Sequence, residues 1–197
     1  MAGTAGYVLV GGRSSRFGSD KAFLEWQGRP LAAWVAEQVK VAAGSITLVG
    51  NPEKYRPLGF PGIPDALSNI GPLAGLSAAL EHSAAQWNLV VACDMPHMTV
   101  DFLEFLLATA RSETAADLIL PLDRGGRPEP LCAAYSKRCG PAIADAIERG
   151  VRKMTSAFAN LRARELEFAR YAAFDPDGLL FANLNTPSDL AGARAAG

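Results

Sequence analysis

Residues 7–21 have the sequence YVLVGGRSSRFGSDK, which joins an apolar run to a segment rich in glycine, serine and cations. Its first four residues, Tyr7–Val10, form an apolar run that ends at Gly11-Gly12. Such a run, followed directly by glycines, is typical of a strand that is buried on both faces and leads into a glycine loop. Strands of this kind belong to parallel sheets that helices cover on both sides. The stretch therefore predicts the first strand of an α/β domain.

Strand and helix patterns alternate along the rest of the chain. Pro30 suits the first turn of a helix, and apolar residues keep helical spacing from there to Gly44. The further predicted strands are Ala22–Trp26, Ser45–Gly50, Asn88–Cys93, Asp117–Pro121, Leu131–Tyr135 and Glu165–Ala169. A further helix is predicted after Gly71-Pro72, and another over Val100–Arg111 with Thr99 as its N-cap. Helices are also predicted over residues 139–149 and 152–161, and a terminal helix is predicted to begin at Thr186-Pro187. Residues 57–64 are predicted to be loop. This alternation predicts right-handed βαβ crossovers, and hence a three-layer, Rossmann-like, mainly parallel sheet with helices on both faces.

The composition is that of an ordinary globular protein, and we expect residues 1–197 to form a single domain. Nineteen basic and 20 acidic residues leave a net charge of −1, whereas a protein that coats nucleic acid usually carries a clear positive excess. The apolar runs are strand-length and no secretory signal is visible, so we expect neither a membrane span nor export. The three cysteines, Cys93, Cys132 and Cys139, form no C-x-x-C pair and predict reduced thiols in the cytoplasm, with no zinc site.

The residues that follow the predicted strands are candidates for a binding site, because ligands of open parallel sheets lie at the carboxyl ends of the strands. The segment after the first strand contains glycines, whose backbone N–H groups can approach an anion closely. It also contains Arg16 and Lys21, whose positive charges suit a polyphosphate. The segment is neither a Walker A loop nor a G-x-G-x-x-G fingerprint, and an exposed Gly/Ser loop is the alternative interpretation.

Asp94 is the more specific candidate, because it directly follows the apolar strand Leu89–Cys93. A carboxylate at that rim of the sheet suits Mg²⁺, which is typically held by one or two carboxylates together with water and substrate phosphates. Asn51 and Asp65 follow other predicted strand regions in the same way. For all three residues, the alternative is a polar side chain that only shapes a turn.

Three further segments and two histidines are weaker candidates. Residues 71–75 place a helix start after a loop, where exposed N–H groups could meet a base edge or a phosphate, although a plain Pro-initiated helix would have the same sequence. Residues 124–127 and Arg152-Lys153 could meet a second anionic substrate, with a solvated surface as the alternative. His82 and His97 have no partners at metal-ligand spacing, so we expect both to be ordinary structural residues that bind no metal.

Residues 9–21 resemble the signature L-x-G-G-x-S-x-R-x-G-x-D-K of the molybdenum cofactor guanylyltransferases (MobA), a family within the nucleotidyltransferase superfamily. Later segments of the resemblance keep the family's order: residues 71–75 (GPLAG), 93–96 (CDMP) and 183–190 (NLNTPSDL). The resemblance as a whole spans residues 6 to 190, nearly the whole chain. One departure is Val10, where the family usually has alanine, and this is a small change beside a loop that binds through its backbone.

The resemblance implies the nucleotidyltransferase fold and the transfer of GMP from GTP to the molybdenum cofactor, with release of pyrophosphate and with Mg²⁺ as cofactor. It implies three catalytic residues: Asp94, which would bind the metal, and Lys21 and Arg16, which would bind the phosphates. The implied nucleotide-binding positions are Leu9, Val10, Gly11, Gly12, Lys21, Asn51, Asp65, Gly75 and Asp94. On the acceptor side we expect Arg127, Arg152, Lys153 and Asn185, and we expect transient contact with proteins that supply and receive the cofactor.

Two other functions stay open. One is a related nucleotidyltransferase that uses CTP or a sugar-phosphate acceptor, because the glycine segment does not distinguish bases; the short chain and Pro96 favour the cofactor enzyme. The other is a non-enzymatic nucleotide-binding module. Such a module would be expected to lack the metal aspartate or the phosphate lysine, whereas Asp94 and Lys21 are both present.

Overall fold

The computed structural model describes residues 3–11, 20–65 and 70–184. Within them, seven strands form one sheet in the order β5-β4-β1-β6-β8-β7-β9, and two short strands, β2 and β3, form a separate hairpin. The strands are β1 (Thr4–Leu9), β2 (Glu25–Trp26), β3 (Arg29–Pro30), β4 (Thr47–Val49), β5 (Gly62–Ile63), β6 (Trp87–Ala92), β7 (Leu118–Pro121), β8 (Cys132–Ser136) and β9 (Ala163–Leu166). The helices are α1 (Leu31–Ala43), α2 (Pro52–Tyr55), α3 (Pro72–His82), α4 (Val100–Ser112), α5 (Cys139–Glu148) and α6 (Met154–Ala157).

The sheet is mainly parallel, as the alternation of strands and helices predicts. β1 pairs in parallel with β4 on one side and with β6 on the other. The β4–β5 and β7–β9 pairs are also parallel, and β8 runs antiparallel to both of its neighbours, β6 and β7. The chain therefore leaves β1 toward one edge of the sheet and returns at β6 on the other side. This change of direction is the kind of switch point that places a ligand crevice at the carboxyl ends of the strands.

Helices cover both faces of the sheet. One core cluster includes Val35 of α1 and Phe102 of α4, and a second includes Leu76 of α3 and Ile143 of α5. The buried residues of β1 alternate between these clusters, with Val8 in the first. Tyr7 and Leu9 are in the second. The apolar run at residues 7–10 is thus buried on both faces, and the predicted three-layer fold is confirmed.

The ends of α1 and α4 follow from local sequence. α1 begins after Pro30, and it ends at Gly44, which has a left-handed φ of 76° and donates its N–H to the carbonyl of Lys40. α4 begins after Thr99, whose side chain accepts a hydrogen bond from the N–H of Phe102. Both boundaries match the sequence-based predictions.

Several predicted elements differ from the structure. The predicted strand Ala22–Trp26 is wrong in its first half, because Asp20 caps a 3-10 helix, Lys21–Phe23, before β2. The predicted loop 57–64 contains the edge strand β5, and it overlaps a 3-10 helix, Arg56–Leu58. The predicted helix 152–161 is wrong in its length, because the helix there is the four-residue α6. The predicted strand Glu165–Ala169 is wrong in its second half: β9 ends at Leu166, and a 3-10 helix begins at Phe168. The terminal helix predicted at Thr186-Pro187 lies outside the described residues.

Within the described part of the chain, none of the helices combines the length and the apolar character needed to span a lipid bilayer.

Gly6 in β1 offers a test of how tightly α1 packs on the sheet. A Cβ atom at this position would lie 2.5 Å from the carbonyl oxygen of Ser45 and 2.5 Å from Cγ1 of Val39. We expect Gly6→Ala to lower the free energy of unfolding by about 2 kcal/mol, since overpacking a tight site forces its neighbours apart. Urea denaturation measures this change.

The matched control is Gly140→Ala in α5. A Cβ atom there would meet nothing within 4 Å beyond its chain neighbours and the backbone of its own helix. This substitution is expected to leave stability unchanged or to raise it by about 0.5–1 kcal/mol, because alanine favours helix more than glycine does. Equal effects of the two substitutions would contradict the packing described for Gly6.

Candidate active site

A cavity of about 630 Å³ lies at the carboxyl ends of β1, β4 and β6. These strand ends and the start of α3 form much of its wall. Asp20 and Lys21 at the first 3-10 helix, Asp65 after β5 and Leu131 before β8 complete it. The lining residues are Leu9, Val10, Gly11, Asp20, Lys21, Val49, Asp65, Gly71, Pro72, Gly75, Ala92, Cys93, Asp94 and Leu131. The cavity thus occupies the place at which the sheet topology predicts a ligand.

The end of β1 is held rigidly from both sides. The N–H of Val10 donates to the carbonyl of Val49 at 2.9 Å, and the carbonyl of Leu9 accepts from the N–H of Cys93 at 3.2 Å. The next residue, Gly11, has a φ of 118°, a conformation that residues with a Cβ rarely adopt. The backbone at the cavity floor is therefore pre-organised, and the chain turns at a residue that exposes its backbone.

The start of α3 packs directly on β1. A Cβ atom at Gly75 would lie 3.0 Å from Cδ2 of Leu9, so a larger side chain would press on the residue that forms the cavity floor. Gly71 and Pro72, at the amino-terminal end of the same helix, also line the cavity. A helix amino terminus carries partial positive charge and free N–H groups, and this favours an anionic ligand.

Lys21 and Asp94 meet in the cavity, although they are 73 residues apart in the chain. The Nζ atom of Lys21 lies 3.3 Å from Oδ2 of Asp94, and the two side chains are 20% and 23% exposed. Lys21 opens the 3-10 helix, whereas Asp94 lies just beyond the end of β6. The fold thus brings a cation and a carboxylate to the same wall, with both still accessible to a ligand.

Asp20 ties this lysine to the rest of the sheet. Its Oδ1 accepts a hydrogen bond from the N–H of Ala22 at 3.0 Å and so caps the 3-10 helix that contains Lys21. Its Oδ2 accepts from the hydroxyl of Tyr55 at 2.8 Å and lies 2.5 Å from Nζ of Lys54. Burial alone raises the pKa of Asp20, but the donors on Lys54, Ala22 and Tyr55 outweigh it, so the pKa lies below its usual value. Asp20 is therefore ionised at neutral pH.

The donor set fits magnesium held jointly with a phosphate ligand. Asp94 and Asp65 line the same cavity. Among the described residues, no group of three or more His, Cys, Asp or Glu side chains could hold a metal by itself. Mg²⁺ usually binds through one or two carboxylates, with phosphate and water completing its shell, so a dedicated protein cage is unnecessary.

The structure brings most of the predicted site residues together. The predicted residues that line the cavity are Leu9, Val10, Gly11, Lys21, Asp65, Gly75 and Asp94. Asn51 lies outside this lining, and its Oδ1 accepts hydrogen bonds from the N–H groups of Glu53 and Lys54 at the start of α2. Gly12 and Arg16 lie outside the described residues.

The basic residues expected at the acceptor side are on the surface. Arg127, Arg152 and Lys153 are exposed and are not among the residues that line the cavity. Arg127 forms an ion pair with Asp123 at 2.7 Å within its own loop. The carboxy-terminal segment does approach the cavity, because the N–H of Leu184 donates to the carbonyl of Asp94 at 3.0 Å. The next residue along, Asn185, lies outside the described residues.

Sequence reasoning missed several lining residues. Asp20 carries a visible signal, since it precedes the phosphate-lysine candidate directly. Leu131 has no such signal in the sequence. It reaches the cavity because its carbonyl accepts a hydrogen bond from the N–H of Ala92 at 2.8 Å, where β8 pairs antiparallel with β6. The antiparallel direction of β8 is a property of the assembled sheet, and the sequence-based expectation of a mainly parallel sheet does not locate it.

The three cysteines are free and buried. Burial, with the negative charges of Asp94 and Asp20, raises the pKa of Cys93 to about 12. Burial also raises the pKa of Cys139 to about 12, and the pKa of Cys132 is raised by the same cause. All three groups therefore stay thiols at neutral pH.

We expect iodoacetamide to leave all three cysteines unmodified in the native protein at pH 8. Alkylation requires the accessible thiolate, which burial and the raised pKa values suppress together. Mass spectrometry after labelling, with the protein unfolded in urea as the control, measures the difference. Rapid labelling of Cys93 in the native protein would contradict the closed floor of the cavity.

The fold and the cavity define a class of protein. They describe an α/β domain whose glycine turn, cation, carboxylate and helix amino terminus converge on a cavity suited to the phosphates of a nucleoside triphosphate. A sequence model of the MobA-like NTP transferase domain matches residues 6–164, and the chain belongs to this family.

Individual relatives agree with this assignment. The chain is 36% identical over 184 residues to a probable molybdenum cofactor guanylyltransferase of Deinococcus radiodurans, covering 93% of this chain and 90% of that protein. It is 32% identical over 200 residues to the molybdenum cofactor guanylyltransferase of Desulfosudis oleivorans, covering 100% and 96%. The crystal structure of molybdopterin-guanine dinucleotide biosynthesis protein A from Archaeoglobus fulgidus superposes with a TM-score of 0.84 at 29% identity, covering 98% of this chain and 97% of that one.

Proposed function

We propose that this chain transfers GMP from GTP to the molybdenum cofactor, giving molybdopterin guanine dinucleotide and pyrophosphate. The observation that carries the proposal is the meeting of Lys21 and Asp94, 3.3 Å apart, at the cavity beside the glycine turn. Family membership and relatives named as guanylyltransferases over most of their length support the choice of nucleotide and acceptor.

The nucleotide lies at the carboxyl ends of β1, β4 and β6 in this proposal. The backbone of Leu9, Val10 and Gly11 contacts GTP, since these residues form the fixed cavity floor. Gly75 and Asp65 line the same space and are assigned to nucleotide binding. Gly12 and Asn51 are assigned to it from the sequence resemblance alone.

Asp94 is the proposed magnesium ligand, because its carboxylate reaches the cavity from the end of β6. Its carboxylate pairs with Lys21 through Oδ2 and is only 23% exposed, so it is already ordered. When bound, Mg²⁺ supplies positive charge that offsets the charge on the phosphates during transfer.

The chain's own residues position the triphosphate and neutralise it. Lys21 donates hydrogen bonds to the phosphates, and Arg16, from the sequence resemblance, assists it. The amino-terminal end of α3, at Gly71-Pro72, adds partial positive charge in the same cavity. The attacking group is an anionic phosphate of the acceptor, so the reaction requires in-line positioning and electrostatic stabilisation, and no protein base.

The acceptor is assigned to the side of the cavity where the segment around Leu184 contacts the backbone of Asp94. Asn185 follows this segment directly and is a proposed contact for the acceptor phosphate or the metal. Arg127, Arg152 and Lys153 are exposed cations, and we assign them a weaker role in attracting the anionic cofactor. The reduced thiols and the use of GTP fit a reaction in the cytoplasm.

The direct test is to incubate the protein with molybdenum cofactor, Mg²⁺ and each of GTP, CTP, ATP and UTP in turn, and to analyse the products by mass spectrometry. We expect the dinucleotide product and pyrophosphate with GTP only. A product formed with CTP would replace the proposal with a cytidylyltransferase. Tight GTP binding without turnover in the presence of the intact cofactor would favour a non-enzymatic nucleotide-binding module.

A further inference from the structure

Tyr55 lies beneath the cavity without lining it. Its side chain is 3% exposed at the end of α2. A Cβ atom at Gly50, just after β4, would lie 3.0 Å from Cε2 of Tyr55, so the ring is wedged below the strand ends. Tyr55 is not among the residues that line the cavity, and any effect on a ligand must pass through a neighbour.

The hydroxyl of Tyr55 lies close to Asp20 and Gly11, the described residues on either side of residues 12–19 in the chain. It donates a hydrogen bond to Oδ2 of Asp20 at 2.8 Å. On the other side, a Cβ atom at Gly11 would lie 3.6 Å from the same hydroxyl oxygen. Gly11 follows β1, and Asp20 precedes the 3-10 helix that Lys21 opens, so Tyr55 is bonded to the second of these residues and lies near the first.

A short chain of contacts leads from Tyr55 to Lys21. Asp20, held by the tyrosine through Oδ2, uses Oδ1 to cap the 3-10 helix that Lys21 opens. Phe23, at the end of that helix, stacks on the tyrosine ring with the ring centroids 5.8 Å apart and the planes 19° from parallel. Both ends of the helix are therefore fixed to Tyr55.

The tyrosine is suited to this task at all physiological pH values. Burial and the adjacent carboxylate of Asp20 raise the pKa of Tyr55 well above its ordinary value, so the hydroxyl remains a donor. Lys54 also pairs with Asp20, but its side chain is 50% exposed and its ion pair is open to screening by water and salt. The buried hydroxyl is the more specific of the two restraints.

We propose that Tyr55 is a positioning residue for the triphosphate: it holds Asp20, and through Asp20 it sets the place of Lys21 beside Asp94. This inference rests on the proposed function, because it assumes that Lys21 binds the nucleotide phosphates. Tyr55 touches no substrate in this assignment and acts only through the geometry of the lysine.

The test is Tyr55→Phe, which removes the hydroxyl and keeps the ring, its stacking with Phe23 and its contact near Gly50. We expect the Kd for GTP with Mg²⁺, measured by calorimetry, to rise about tenfold, the size expected from loss of a hydrogen bond to a charged group. The Kd for guanosine, which has no phosphates, is expected to stay unchanged. In a Lys21→Ala background, Tyr55→Phe is expected to have no further effect on the Kd for GTP.

The matched control is Tyr171→Phe. Tyr171 is 1% exposed, its hydroxyl donates to the carbonyl of Leu122, and it does not line the cavity. Both variants lose one buried hydroxyl, so a comparable decrease in Tm with unchanged GTP binding is expected for the control.

The outcomes separate the inference from the function on which it rests. If the wild-type protein binds GTP and Tyr55→Phe binds it equally well, the positioning role is overturned and the proposed function stands. The positioning role also fails if affinity for guanosine falls as much as affinity for GTP, because the effect is then a general loosening of the cavity. If the wild-type protein binds no nucleoside triphosphate, the proposed function fails and the inference fails with it.

Discussion

Asp94→Ala is expected to lower Mg²⁺-dependent guanylyl transfer by at least about 10²-fold, the usual size when one electrostatic stabiliser is removed from an active site. Asp94 lies in the cavity at the end of β6, where its carboxylate pairs with Lys21. Its removal takes away the proposed metal ligand and leaves the lysine without this partner. The fold is expected to remain intact, because the side chain reaches the cavity and is not part of the apolar core.

Initial rates over a range of Mg²⁺ concentrations measure this effect, with circular dichroism to check the fold. Binding of Mn²⁺ in the presence of GTP, followed by electron paramagnetic resonance, is expected to weaken in parallel. Asp145→Ala is the control, since Asp145 is 58% exposed on α5 and pairs only locally with Arg149. Turnover of Asp94→Ala within a few-fold of the control would overturn the assignment of the metal site.

Lys21→Ala is expected to reduce turnover by about 10²- to 10³-fold and to weaken GTP binding. The side chain is 20% exposed and partly enclosed in the cavity, where a positive charge acts on phosphates more strongly than on an open surface. Loss of this charge should affect the triphosphate more than the base. We therefore expect affinity for GTP to fall and affinity for guanosine to stay close to that of the wild-type protein.

Steady-state kinetics and calorimetry measure the two effects, and Lys40→Ala serves as the control, because Lys40 is a 53% exposed lysine on α1 that pairs with Glu37. Lys21 and Asp94 are in contact, so the double variant should lose less activity than the product of the two single losses. A Lys21→Ala protein with normal GTP binding and turnover would contradict the assigned role of the lysine.

The sequence-based predictions succeeded where an element depends on residues near it in the chain, and failed where it depends on distant ones. α1 and α4 were predicted well because apolar periodicity, Gly44 and Thr99 act within a few residues of where they stand, whereas β1 was found but begins three residues before the predicted Tyr7. The predicted strand at Ala22–Trp26 failed because a side-chain cap from Asp20 competes with an extended conformation. The edge strand β5 was missed, since its two residues are strand only by pairing with β4.

The candidate site shows the same division. Glycines, an aspartate after an apolar strand and a nearby lysine are visible in the sequence because their chemistry is local. That Lys21 lies 3.3 Å from Asp94, and that Leu131 and Asp65 share a cavity with them, depends on strand order and direction. Tyr55 shows no signal in the sequence, since its contacts with Asp20 and near Gly11 come from the packing of α2 below the sheet.

The alternation of strands and helices, the mainly parallel sheet and the residue types at the ends of β1 and β6 can all be predicted from the sequence. This is possible because backbone propensity and apolar periodicity are set by neighbours along the chain. Which of those residues lie together, that β8 runs antiparallel to its neighbours and what positions Lys21 become visible in the folded structure. Those features depend on contacts between distant segments, and such contacts form only when the helices close over the sheet.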